Sequence, residues 1–282
     1  MKANKIIAGF FAIVIILSAG CKKEDNSLQL PPAASMDMNF DFASSQKSAT
    51  VNTQSTYVYH TAAAVAVLYW SGVAYVYTAI PAASFKKAFE YSPSYDANTK
   101  VWTWEYNVNV ASDSYYAQLT GKVVEDSVEW QMHISKVGDN NIQNFLWYYG
   151  KSNVNRQGGW WVLKYQWDNH GVLVPDEGLF IDWAYKGSND FHLRYTYVAN
   201  KSFVYDESSQ EWIWVDNTNI GGYIEYGHKD DPEFNAWYNI YSQEETKLYQ
   251  IKWNTSTKTG TIITPTDQGC WDKDLADADC AN

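Results

Sequence analysis

The chain has 282 residues, a formal net charge of −11, 17% aromatic residues and three cysteines. That acidic balance argues against partners recognised through their negative charge, nucleic acid and anionic lipid among them. The length suffices for one large domain or two small ones, with an ample core, and the 14 Trp and 22 Tyr suit a strand-rich fold.

The chain opens on Lys2 and Lys5, an apolar run from Ile6 to Leu17, and then Ser18, Ala19, Gly20 and Cys21. This is the layout of a secretory signal, with an apolar run too short to span a bilayer as a finished helix. Small residues before a cysteine resemble the bacterial lipobox, in which Cys21 is acylated and becomes the mature N-terminus. Leu17 stands one position further out than the usual leucine, with Ser18 in its place; relaxed lipoboxes of this kind occur in Bacteroidota. The alternative is an ordinary cleaved signal followed by a free thiol. Removing residues 1–20 takes away two lysines and no acid, so the net charge becomes −13.

Residues 21–50 begin "CKKEDNSLQLPPAAS" and have no periodicity, which reads as a flexible tether. Lys22, Lys23, Glu24 and Asp25 look like the charged signal after the cysteine that sends some lipoproteins to the cell surface, or else they are a solvated spacer. The expected location is the outer membrane, anchored by lipid and open to surface exposure.

The remainder, 51–282, reads as a single β-rich domain. Val51 to Ser84 contains no Asp, Glu, Lys or Arg. Its centre is apolar on every side, which predicts a buried helix over about 58–80. Two alternatives remain: a buried hairpin turning at Ser71-Gly72, and a membrane helix, since about 20 apolar residues are long enough to cross. From Phe89 onward the hydrophobic period becomes two. Trp102, Trp104, Tyr106, Val108 and Val110 share one face, and the same alternation returns at 117–123, 128–134, 161–167, 191–197 and 249–253. Polar turn-like stretches separate these runs. The fold class is therefore mainly β, an antiparallel meander closing into a barrel or sandwich around one buried apolar N-terminal helix. An internal echo links "YDANTKVWTW" at 95–104 to "YDESSQEWIW" at 205–214, and "WQMHI" at 130–134 to "WYNI" at 237–240. It is too weak to set a domain boundary.

With Cys21 assigned to lipid, Cys270 and Cys280 remain, and an even pair in an exported chain most simply forms a disulfide that pins the C-terminal tail. The tail also carries Asp272, Asp274, Asp277 and Asp279, but it lacks the glycine and glutamate of an EF-hand loop and reads as solvated acid.

Taken together, "LPPAASMDMNFDF", "IPAASFKKAF", "VWTWEYNV" and "CWDKDLADADC" resemble a family of Bacteroidota exported lipoproteins across essentially the whole mature chain. What the resemblance implies is an address and a single domain. The family has no established activity, so no catalytic residue is implied.

Signatures of chemistry are missing: there is no GxSxG elbow, HExxH helix, CxxC pair, P-loop or dinucleotide fingerprint. Ser84 to Lys87 and Ser44 to Lys47 fit SxxK by its looseness alone. The acidic pairs Glu125-Asp126, Asp206-Glu207 and Asp230-Asp231 fall in expected turns, where water keeps both groups ionised. Nothing calls for a cofactor or a metal, and the chain is not expected to be an enzyme. The better clue lies in adjacent aromatics. Neighbouring strand residues point to opposite faces, so Tyr115-Tyr116, Trp147-Tyr148-Tyr149, Trp160-Trp161 and Trp237-Tyr238 must each send a ring away from the buried side. Either a second layer covers those rings or they form an interaction surface. Trp147, Tyr148, Trp160, Trp161, Trp237 and Tyr238 are accordingly the candidate ligand-binding aromatics, with a glycan or envelope component as ligand. The other reading is an envelope scaffold with protein partners and no small ligand.

Overall fold

The structure, a computed structural model, describes residues 28–38, 42, 56–138, 142–169, 171–187 and 189–280. The signal read at 1–20, Cys21 and Ser44 lie outside the described residues.

The polar-apolar alternation produces a long meander. In chain order it comprises β1 (Ser94–Asp96), β2 (Val101–Val110), β3 (Asp113–Val124), β4 (Ser127–Lys136), β5 (Phe145–Asn153), β6 (Gly158–Asn169), β7 (Val172–Gly187) and β8 (Asp190–Tyr197). A hairpin of β9 (Lys201–Asp206) and β10 (Glu211–Asp216) leaves this path. The meander then resumes with β11 (Tyr223–His228), β12 (Ala236–Ser242), β13 (Lys247–Trp253), β14 (Gly260–Ile263), β15 (Gln268–Trp271) and β16 (Asp277–Ala278). All except β9 and β10 form one 14-stranded antiparallel sheet, in which β8 pairs directly with β11. The outermost strands β1 and β16 do not pair with each other, so the expected meander is present and its closure into a barrel is not. Both are very short, three and two residues, which leaves little exposed edge to template further pairing.

The charge-free run forms one helix, α1 (Val58–Ala88), longer than the expected 58–80 and continuous through Ser71-Gly72, so the hairpin alternative is overturned. Pro81 lacks the N–H that would bond the Tyr77 carbonyl and crowds it. The limbs Val58–Tyr75 and Tyr77–Ala88 accordingly meet at 72°, and among the described residues no single helix is long and apolar enough to cross a membrane. The helix touches β2, β3, β6 and β7 as well as β14, β15 and β16. Contacts with strands so far apart in one sheet require the sheet to curl around α1. Strands β2 to β8 and β11 to β15 contribute their apolar sides to the enclosed core, including Trp104, Leu119, Trp130, Ile134, Leu163, Ile181, Leu193, Ile240 and Ile251.

The expectation of a helix buried on all sides needs correction. His60, Ala63, Ala64, Val67, Trp70, Ala74, Tyr77, Phe85 and Ala88 face the sheet, whereas Val58, Val65, Leu68, Tyr69 and Tyr75 are exposed. One curled sheet can cover only one side of a helix, and among the described residues no second layer covers the other. The N-terminus of α1 has no cap from its own N-cap residue. Instead the Asp277 carboxylate accepts the Val58 and Tyr59 N–H groups at 3.1 and 3.0 Å, and the Asp277 N–H donates to the Thr56 carbonyl at 2.8 Å. An acid at a helix N-terminus satisfies orphan donors and complements the dipole.

The stretch 21–50 is not a tether throughout. Leu30, Met36 and Met38 are core residues, and Tyr195 donates its hydroxyl to the Met36 carbonyl at 2.8 Å while accepting the Met38 N–H at 3.0 Å. The apolar residues spaced among "LQLPPAASMDM" make this segment a strap across the core. At the opposite end of the chain, Cys270 and Cys280 form the expected disulfide, worth about 2–3 kcal/mol for a loop this short.

The echo between 95–104 and 205–214 has a local cause. In the β1–β2 and β9–β10 turns, Asp96 and Asp206 each accept the N–H two residues ahead, at 2.9 and 3.0 Å. Lys100 and Gln210, four residues ahead, adopt φ of 59° and 57° and donate back to the Asp carbonyls at 2.8 Å. Asn254 and Lys258 build the same turn between β13 and β14, so it is a recurring hairpin device and not the mark of a duplicated half. The second echo fails in space: Trp130 points into the core, whereas Trp237 points away from it.

Candidate functional site

The stereochemical argument for the doublets holds at three of the four. Trp161 and Tyr238 lie fully buried beside half-buried Trp160 and Trp237, and Tyr115 is buried beside exposed Tyr116. The fourth contains a bulge. Tyr148 pairs with Met132 and Leu146 with His133, leaving Trp147 as the extra residue. Its ring packs on Phe145 and Tyr115 at 5.1 and 6.4 Å, and Tyr148 is fully buried. Tyr148, Trp161 and Tyr238 are therefore core residues closed to any ligand, and the six candidates do not form one surface.

The outward rings occupy two separate places on the convex side of the sheet. Trp160 lies between Tyr149 and Phe180, with ring centroids at 5.9 and 6.2 Å. Tyr149 donates to the Glu177 carboxylate at 2.7 Å; burial and that carboxylate together push its pKa up to about 12. Trp237 lies flat over Gly227, where a Cβ would meet the indole at 1.8 Å. With Lys229, Asp231, Glu233, Phe234 and Lys252 it lines a shallow pocket of about 250 Å³. Asp231 pairs with Lys229 at 2.7 Å and accepts the Glu233 and Phe234 N–H groups, which hold its carboxyl down at about 2.

Between these places runs a polar row. Cross-strand pairing aligns Asp182, Arg194, Glu225, Asn239 and Gln250 from β7 to β13. Asn239 bridges Glu225 and Gln250 at 2.9 and 3.3 Å, and Arg194 stacks 3.7 Å over the Tyr223 ring. His192 sits 3.6 Å from Asp182 and 3.4 Å from Glu225. Its hydrogen bond to Asp182, reinforced by the charge of Glu225, raises its pKa against the opposing effect of desolvation. A raised folded-state pKa stabilises the fold fully below the unfolded value near 6.5 and loses that contribution as pH rises through the folded value. His192→Gln is thus expected to flatten the fall of the thermal midpoint as pH rises above about 6.5, measured by calorimetry in wild type and variant. An unchanged slope would remove His192 from the titration.

Outside α1, three of the most exposed large rings belong to β9–β10. Trp212 is 60% exposed, Phe203 51% and Tyr205 49%. They form a ladder: Tyr205 to Trp212 at 5.7 Å, Trp212 to Phe203 at 5.3 Å, and Phe203 to Trp214 at 4.8 Å. Trp214 continues to Trp167 at 6.3 Å and Tyr165 at 5.9 Å, so the strip is rooted in the sheet. Cross-strand pairing of Tyr205 with Trp212 and of Phe203 with Trp214 puts all four rings on one face of the ribbon. The doublet criterion missed these residues because it sought adjacent rings. The signal that marks them is period-two aromatics on both sides of the Asp206 turn.

Among the described residues no group of three or more His, Cys, Asp or Glu is placed to hold a metal ion. Ser84 is fully buried with its hydroxyl on the Pro81 carbonyl, so it cannot serve as a nucleophile. Glu125-Asp126, Asp206-Glu207 and Asp230-Asp231 all stand in turns or at turn entrances, as expected. No protein-family model matches this chain, and neither a curated protein nor a solved structure matches it.

Proposed function

We propose that this chain is an exported outer-membrane lipoprotein, acylated at Cys21, whose folded domain binds a neutral glycan without carrying out chemistry on it. The lipobox-like run before Cys21 and the resemblance to exported lipoproteins support the address. The observation that carries the binding reading is the exposed ladder of Tyr205, Trp212, Phe203 and Trp214 on a ribbon rooted in the sheet. Flat rings in a row suit the apolar faces of successive sugar rings, and a large exposed apolar patch marks an interaction site. The ribbon from 201 to 216 holds Lys201 against Asp206, Glu207, Glu211 and Asp216. Sulfated or uronic-acid polymers are therefore disfavoured and uncharged ones preferred.

The test uses the soluble form lacking residues 1–21, screened against neutral and acidic polysaccharides and peptidoglycan fragments by tryptophan fluorescence and gel retardation. Saturable binding to a neutral polymer is expected, with Trp212→Ala weakening it roughly tenfold, the scale of about 1.4 kcal/mol. Trp160→Ala, on the convex side, is expected to leave it unchanged. A folded Trp212→Ala protein that binds like wild type would move the site elsewhere. No binding across the panel would favour the scaffold reading, with protein partners.

A further inference from the structure

The uncovered face of α1 spaces its residues as a seam. Val58, Ala62, Val65, Tyr69 and Gly72 recur at intervals of four, three, four and three, and all are exposed. Val65 and Tyr69 are 60% and 68% open, with exposed Leu68 and Tyr75 flanking them. This alternation keeps one stripe turned towards a neighbouring helix. We propose that this face pairs with the same face of a second copy, antiparallel and related by a two-fold axis. An axis passing at Val65 sets Val65 against its own counterpart, Ala62 against Tyr69 of the second copy and Val58 against Gly72, so on either side of the axis a larger side chain meets a smaller one. The patch is thereby complementary to itself, the requirement of an isologous interface.

Charge and chain composition select this occupant. Val51 to Ser84 carries no charged side chain, so two otherwise acidic copies can approach here without like-charge contacts. The adjoining segment 43–55, "ASSQKSATVNTQS", has no apolar stripe with which to cover the face itself. A lipid surface is a poorer match. Lys86 and Lys87, which close the helix, are paired with Asp37 and Glu90, and the acidic chain repels anionic headgroups.

The limb Val58–Tyr75 is about 27 Å long, and one helical stripe of that length is small beside the ~800 Å² per partner of a standard interface. Pairing in dilute solution is accordingly weak. Confinement of anchored copies to a membrane raises their effective concentration and strengthens it; this second step rests on the lipoprotein reading of Cys21.

The experiment uses the full chain in a Gram-negative envelope with Val65→Cys, oxidised by copper phenanthroline and run on a non-reducing gel. A thiol-reversible dimer band is expected, far above that of the unsubstituted chain or of Val154→Cys, an exposed position in the β5–β6 turn. Co-expressed A62C and Y69C chains should cross-link to each other more than either does to itself. Equal bands from Val65→Cys and Val154→Cys, or no band from Val65→Cys, would overturn the pairing. Protection of the V65C thiol from aqueous maleimide by membrane, without a dimer band, would assign the face to lipid instead. In Cys21→Ser, a band that persists supports the pairing while removing the anchor from its explanation; a band lost only there supports both.

Discussion

Trp161→Ala is expected to lower stability by about 3–5 kcal/mol, while Trp160→Ala, one residue away, is expected to cost less than about 1.5 kcal/mol. Trp161 is fully buried. Its ring meets Phe85 of α1 at 5.4 Å and Tyr148 of β5 at 5.6 Å, and its Nε1 donates to Ser35 of the strap at 3.3 Å. Removing it opens a cavity where sheet, helix and strap converge, and rigid strands cannot collapse to fill it. Trp160 loses only its contacts with Tyr149 and Phe180 on the open side. Urea midpoints at unchanged slope measure both costs. Equal losses would mean that the convex side is covered as fully as the core.

The second large effect comes from adding one methyl group. Gly150 sits in β5 between Trp130 of β4 and Trp161 of β6. A Cβ there would lie 2.3 Å from the Trp160 carbonyl oxygen and 2.4 Å from the Trp161 ring. The obstructing atom is backbone in a hydrogen-bonded ladder, so relief requires moving β6 away from β5. Gly150→Ala is expected to cost about 3 kcal/mol. The same methyl at Gly72, in the exposed face of α1, meets nothing within 4 Å and replaces the poorer helix former, so Gly72→Ala is expected to stabilise by about 1 kcal/mol. Thermal midpoints of the two variants should move in opposite directions; a matching fall would refute the assignment of these glycines.

What the sequence disclosed follows from the range of the forces involved. Period-two runs such as Trp102 to Val110 read correctly because one side of every strand is buried, and the Cys270–Cys280 pairing needs only short-range chemistry. The doublets gave the right geometry and the wrong surface, since the outward direction of Trp160 or Trp237 does not reveal how far neighbouring side chains enclose it. Trp147 escaped because a bulge consumes one residue, and nothing local marks that register shift. The one-sided burial of α1 is a property of how far the sheet curls, and a helix apolar all round carries no record of which side is covered. Leu30, Met36 and Met38 were hidden for the opposite reason: a few apolar residues within a polar, proline-containing stretch have no period, yet the open side of a core can still take them in.

The Asp277 cap on α1 bears on the order in which this protein can be completed. Ribosomes and export channels deliver chains from the N-terminus, so a helix with no charged residue before Lys86 emerges about 190 residues ahead of the carboxylate that closes its first turn. The hairpins of the meander can form as they appear, but their shared core cannot seal until β14 to β16 arrive. Through that interval α1 is an adhesive, water-averse segment on an unfinished protein. A chain released a few residues short of Asp277 would keep nearly all its strands and still present that segment to chaperones and proteases.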